Sequence, residues 1–151
     1  MRFNIIGLFI FILFSVNLSA QKAMPVKWSF DLEKVSDNEY NVICTADIKD
    51  GWYLYAQKQE SDMGPIPTSF SFTNEDDFQL IGGFEEQGKK IEKFDSFFDM
   101  NVAKYSNQVK FVQRIKKSKK AKTVSGSVEF MTCDDNQCLP PTNIEFALNF
   151  D

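Results

Sequence analysis

Every second residue is apolar through long stretches of this chain, and that rhythm constrains its fold more than any other feature. Val26, Trp28, Phe30 and Leu32 alternate with Lys27, Ser29, Asp31 and Glu33. Tyr40, Val42, Cys44, Ala46 and Ile48 repeat the pattern against Asn41, Thr45 and Asp47, and Ile144, Phe146, Leu148 and Phe150 close the chain in the same way. A strand with one face on a core and the other in water gives this signal. Further strand candidates are Trp52–Tyr55, Thr68–Phe72, Phe78–Ile81, Val109–Lys116 and Thr123–Thr132. Turn signals at Asp50-Gly51, Gly64-Pro65, Gly82-Gly83 and Ser106-Asn107 separate them. No stretch holds a helical period beside good caps for more than two turns. Seven or more short antiparallel strands imply an all-β fold, an immunoglobulin-like β-sandwich, with a closed barrel as the alternative. The 16 Phe, 4 Tyr and 2 Trp supply a heavily aromatic interior.

The first 20 residues stand apart. Arg2 is followed by an apolar run from Ile5 to Phe14, then by small and polar residues ending in Ser19-Ala20-Gln21. This is the layout of a secretory signal peptide cleaved after Ala20, with an uncleaved anchor as the alternative, and the run is short for a membrane span of roughly 20 residues. Residues 21–151 then form one domain, periplasmic or secreted, and expected to be a monomer. The leader holds Arg2 and no acid, so its removal takes the net charge from −4 to −5. An acidic balance argues against nucleic acid as the main partner. Histidine is absent, which excludes Ser-His-Asp and Cys-His catalysis and histidine metal sites. Lys116–Lys122 is the one charge run, read as a solvated hairpin end, with a patch for anionic lipid or an acidic partner as the alternative.

Three cysteines remain, an odd number in a compartment that favours disulfides. Cys44 lies in register with Val42 and Ala46, as an inert core thiol would. Cys133 and Cys138 flank Asp134-Asp135-Asn136-Gln137, a span long enough for the chain to reverse and bring both sulfurs within bonding range. Closing so small a loop removes little unfolded-state entropy, which favours a bond that is made and broken over a staple. A plain hairpin clip is the alternative reading. Two cysteines without histidine would fill only half a tetrahedral metal site, so no metal is expected. Asp134 and Asp135 disfavour thiolate formation, and the reduced pair should therefore react slowly with small oxidants.

The segment Phe130-Met131-Thr132-Cys133-Asp134-Asp135-Asn136-Gln137-Cys138-Leu139-Pro140-Pro141, with Asp50-Gly51-Trp52-Tyr53-Leu54-Tyr55 upstream, resembles the N-terminal periplasmic domain of the DsbD thiol:disulfide interchange proteins. The resemblance covers nearly all of residues 25–150. It implies an immunoglobulin-like domain with a redox-active cysteine pair and no cofactor, in which Cys138 forms the mixed disulfide with a partner and Cys133 resolves it. It also implies a cap loop over the pair, matched to Phe94, Asp95, Phe97 and Phe98, with Tyr53 and Tyr55 in the strand alongside. The implied partners are thioredoxin-like redox proteins, including those of disulfide isomerisation and cytochrome c biogenesis. Because the sequence ends at Asp151, a membrane electron transporter would be a separate polypeptide. A secreted binding module that keeps the disulfide as a clip is the rival expectation. The best-known members have one more residue between the cysteines.

Overall fold

The alternating segments fold as strands, and the long ones pair with one another in the order that buries their aromatic faces. The computed structural model describes residues 24–150, so the expected leader and its cleavage point lie outside the described residues. The strands are β1 (Val26–Lys34), β2 (Glu39–Ile48), β3 (Tyr53–Tyr55), β4 (Ser69–Phe72), β5 (Phe78–Gly88), β6 (Ile91–Asp95), β7 (Met100–Tyr105), β8 (Gln108–Lys117), β9 (Thr123–Phe130), β10 (Thr132–Cys133) and β11 (Thr142–Asn149). A single 3₁₀ turn, Glu75–Asp77, precedes β5.

Three antiparallel sheets result, ordered β1-β2-β8-β5, β11-β9-β4 and β10-β3-β7-β6. The first two are the layers of the sandwich. Phe30 of β1 stacks on Phe146 of β11 at 4.7 Å between ring centroids, Trp28 meets Phe130 of β9 at 5.4 Å, and Phe70 of β4 meets Phe111 of β8 at 5.2 Å. Val42, Cys44, Val109, Ile115, Val124 and Val128 fill the space between these rings. The fold is thus the expected immunoglobulin-like sandwich, with open sheets instead of a closed barrel.

The register of β8 puts a polar residue, Gln113, in line with Val109, Phe111 and Ile115, where it is only 1% exposed. A bulge explains it. The pairing of β5 with β8 shifts between Ile81 and Glu85, and Gly82 takes a left-handed φ of 69° there. Gln113 Nε2 donates to the carbonyls of Ile81, Gly82 and Arg114, at 3.2, 3.4 and 2.8 Å. Gly82-Gly83 is therefore a bend within one long strand and does not end it, as a turn there would. Asp50-Gly51 does turn the chain, with Trp52 N donating to Lys49 O and Gly51 at φ 80°.

The third sheet departs most from the alternation pattern. β6 and β7 are strands that the pattern did not single out, and the expected Thr123–Thr132 strand breaks at Met131, where the chain leaves β9 for β10 in another sheet. Lys116–Lys122 likewise spans from β8 in one layer to β9 in the other, a solvated crossing and not a hairpin end.

Candidate functional site

Strand β3 is three residues long and faces two ways. Leu54 points into the sandwich core, in register with Tyr105 of β7. Tyr53 and Tyr55 point to the opposite face, as alternation requires. On that outer face the sheet gathers a second apolar cluster. Tyr55, Val102 and Cys133 are buried in it, with Phe98, Met100, Met131 and Cys138 packed against them.

Cys133 reaches the cluster because β10 pairs with β3, placing Thr132 opposite Leu54 and Cys133 opposite Tyr53. The Thr132 hydroxyl donates to Tyr53 O at 2.7 Å and fixes this short pairing. The chain then reverses. Cys133 and Cys138 face each other as an antiparallel bridge, joined by a disulfide with Cα atoms 4.0 Å apart. Backbone bonds flank the pair on both sides, Leu139 N to Thr132 O and Asp134 N to Gln137 O, each 2.9 Å. The cysteines thus occupy a non-hydrogen-bonded position, where facing side chains come closest. Cys133 is 2% exposed, while Cys138 is only half-buried.

Asp134 builds the reversal. Its Oδ1 accepts from Asn136 N and Gln137 N, both at 2.8 Å, an Asx-type turn. The Asn136 N–H, helped by Gln137, holds its carboxyl below the usual carboxylate range. Asp134 is therefore a fixed negative charge one residue from Cys133, and Asp135 is exposed beside it.

The hairpin beside the cluster is β6–β7, whose tip is Ser96–Asp99. Asp95 shapes it. Its Oδ1 accepts from Phe97 N at 3.0 Å and its Oδ2 from Lys104 Nζ at 3.2 Å, while the same ammonium sits 4.0 Å from the centre of the Tyr53 ring. Asp99 completes the turn with φ 52°. Of the three phenylalanines, Phe98 enters the cluster, edge-on to Tyr55 at 5.8 Å. Phe94 and Phe97 stay 56% and 55% exposed on the outside. Burial, reinforced by the charge of Asp95, raises the Tyr55 phenol, so it stays neutral.

The residues expected at the site are therefore close together: Phe98 packs in the cluster that holds the cysteines, while Phe94 and Phe97 line a cleft with Tyr53, Asp95, Asp134 and Asp135. The alternation pattern gave no sign of Met100, Met131 or Lys104. Met131 adjoins the Thr-Cys pair and Met100 follows the cap, a proximity that could have been noticed. The Lys104–Tyr53 contact spans strands and has no local signature. Cys44 is fully buried in the core, remote in the fold from this cluster, and burial pushes its thiol up to about 12. Among the described residues, no group of three or more His, Cys, Asp or Glu comes together to hold a metal ion, and no helix is long and apolar enough to cross a membrane.

Comparison with known proteins gives consistent results. Residues 20–149 match the family model described as thiol:disulfide interchange protein DsbD, N-terminal. The reduced N-terminal domain of DsbD from Neisseria meningitidis aligns with a TM-score of 0.57 at 21% identity, over 82% of this chain and 86% of that one. A chain from the complex between the DsbD and PilB N-terminal domains of the same organism aligns at 0.52 and 20%, over 90% and 93%. The N-terminal periplasmic domain of ScsB from Proteus mirabilis aligns at 0.59 and 15%, covering 89% of this chain and 49% of that one. No curated protein sequence matches.

Proposed function

The chain belongs to the family of DsbD N-terminal thiol:disulfide interchange domains, and on that premise we propose that it relays electron pairs between protein partners through Cys133 and Cys138. The observation that carries this reading is the unequal burial of the two cysteines, Cys138 half-buried and Cys133 enclosed. A partner's disulfide can reach only the outer one. The Cys138 thiolate attacks one sulfur of that disulfide, forming the mixed disulfide and expelling the partner's other sulfur as a thiolate. Cys133 then gives up its proton and attacks Cys138 Sγ. The partner leaves with two thiols, and the domain keeps the new Cys133–Cys138 bond. Two electrons and two protons have moved to the partner, and the donor step is the reverse.

Phe98 is the cap in this scheme, and the fixed charges of Asp134 and Asp135 slow reaction with small anionic disulfides. A protein partner is supported by the Neisseria DsbD–PilB complex. A thioredoxin-type partner, a membrane electron transporter and a link to cytochrome c assembly are supported by the family resemblance. A periplasmic location is supported by the apolar leader and by the ScsB relative.

Trapping tests the relay. Cys133→Ser should accumulate covalent partner adducts through Cys138, and Cys138→Ser should give few. The pair should equilibrate with glutathione around −200 to −270 mV. A potential well below about −300 mV, the range of structural bonds, with no adducts, would leave the disulfide as a clip.

A further inference from the structure

Among the described residues only two aromatic rings stand exposed, Phe94 and Phe97, and every other ring is buried or half-buried. Neither belongs to the cluster that holds the cysteines. Both line one cleft, bordered by Asp134 and Asp135 from the turn between the cysteines. Single exposed rings scattered over a surface carry no meaning, but two in one cleft beside a reactive pair mark a contact surface. At one side the cleft already holds a cation. Lys104 Nζ lies 3.2 Å from Asp95 Oδ2 and 4.0 Å from the centre of the Tyr53 ring, between a carboxylate and an aromatic face. Phe94 and Phe97 with Asp134 and Asp135 repeat those ingredients. Among the described residues neither of these carboxylates is in an ion pair. Lys93 also lines the cleft and pairs with neither, so three carboxylates there face two ammonium groups.

We propose that this cleft docks a partner protein whose reactive disulfide is flanked by arginine and an apolar side chain, the guanidinium against Asp134 and Asp135 and the apolar group on Phe94 and Phe97. Arginine suits the lining better than lysine, because its planar head stacks on rings while it binds carboxylate. The proposal deepens the relay reading and rests on it. The exchange is the one already written, with the electron pair and both protons passing from Cys133 and Cys138 to the partner's two sulfurs. The two carboxylates oppose every thiolate that forms or departs beside them. A cation brought in by the partner cancels that opposition, and next to the partner's own cysteine it makes the sulfur a better leaving group. An anionic partner meets the opposition in full. Charge at the cleft thus selects which disulfides the pair reduces.

The probes are two disulfide-linked peptide dimers, acetyl-leucine-arginine-cysteine amide and its glutamate counterpart. Each is offered to the reduced protein and, as the reference for intrinsic reactivity, to dithiothreitol. Divided by the dithiothreitol ratio, the wild-type rates should favour the arginine dimer about fivefold at low ionic strength, and the preference should fade in about 0.5 M salt. Asp134→Asn/Asp135→Asn should bring the preference below about twofold, since asparagine at 134 keeps an oxygen for the two N–H groups of the turn. Asp135→Asn alone should lose part of it, so a poorly folded double variant does not decide the matter. Phe94→Ala/Phe97→Ala should slow reduction of the arginine dimer about threefold. A normalised ratio near one at low salt, or one that the asparagine variants leave unchanged, would overturn the inference and leave the relay intact. An arginine-dimer rate indifferent to loss of both rings would overturn it too. If neither dimer is reduced by protein whose thiols are free, the relay itself fails and the cleft loses its role with it.

Discussion

Phe97 and Phe98 are adjacent in sequence and opposite in placement. The Asp95 side chain receives Phe97 N and starts the turn that swings Phe98 inward onto Tyr55, leaving Phe97 in solvent. Shielding of the disulfide should therefore depend on one ring. Phe98→Ala should speed oxidation of the dithiol by glutathione disulfide ~3–10-fold through access alone, and cost about 1–2 kcal/mol of stability from lost burial. Phe97→Ala and Phe94→Ala should leave the rate near wild type. Stopped-flow tryptophan fluorescence or timed thiol trapping reads the difference, and equal acceleration by Phe97→Ala would remove Phe98 from its role. The cysteines were legible in the sequence because their spacing is local, and Tyr53 and Tyr55 because the family resemblance places their strand alongside the pair. The choice among three phenylalanines was not, because it is made by a side-chain-to-backbone bond and a left-handed residue at Asp99.

At the scale of elements, β1, β2, β8, β9 and β11 could be read directly, since each buries one face more than the other, whereas only the first four residues of β5 were legible. β6 and β7 could not. β6 is an edge strand, largely exposed from Glu92 to Phe94, and β7 sits between two apolar clusters, so neither face of it is consistently polar. The Gly82-Gly83 pair signals a turn locally, yet Gln113, more than 30 residues away in sequence, supplies the hydrogen bonds that make a bulge the better solution. Gly126 is the counterpart in β9, in register with Val124 and Val128 but without a side chain. An added Cβ would overlap the Ser71 carbonyl oxygen of β4 and press on the Phe146 ring. Neither backbone nor packed ring can yield cheaply, so Gly126→Ala should destabilise the fold by about 3 kcal/mol. A urea midpoint close to wild type would show that β4 can move aside.

Across the whole molecule, one carboxylate links the sandwich to the sheet that carries the disulfide. Glu86 of β5 accepts from Gln57 N and from the Tyr105 hydroxyl, both at 2.7 Å, and pairs with Lys90 at 3.1 Å. Burial alone would raise its carboxyl, but these three donors outweigh it and hold the group below its usual value. A lowered folded value means stabilisation that is complete above the unfolded carboxylate range and lost as pH falls through the folded value. Glu86→Gln should cost about 1 kcal/mol near pH 7 and progressively less as pH falls from there through the folded value of the carboxyl. Urea unfolding across that interval should show the two curves converging in acid, and parallel curves would contradict the role given to the charge.

The hairpin around the cysteines has one further consequence. The bonds from Leu139 to Thr132 and from Asp134 to Gln137 do not run through sulfur, so gaining or losing the disulfide leaves the outline of that hairpin standing. On the relay proposed above, a visitor should meet much the same contour on the dithiol and on the disulfide. Such a domain would work like a wire and not like a valve, with the direction of traffic decided by the voltages at its two ends and by which visitor is more abundant.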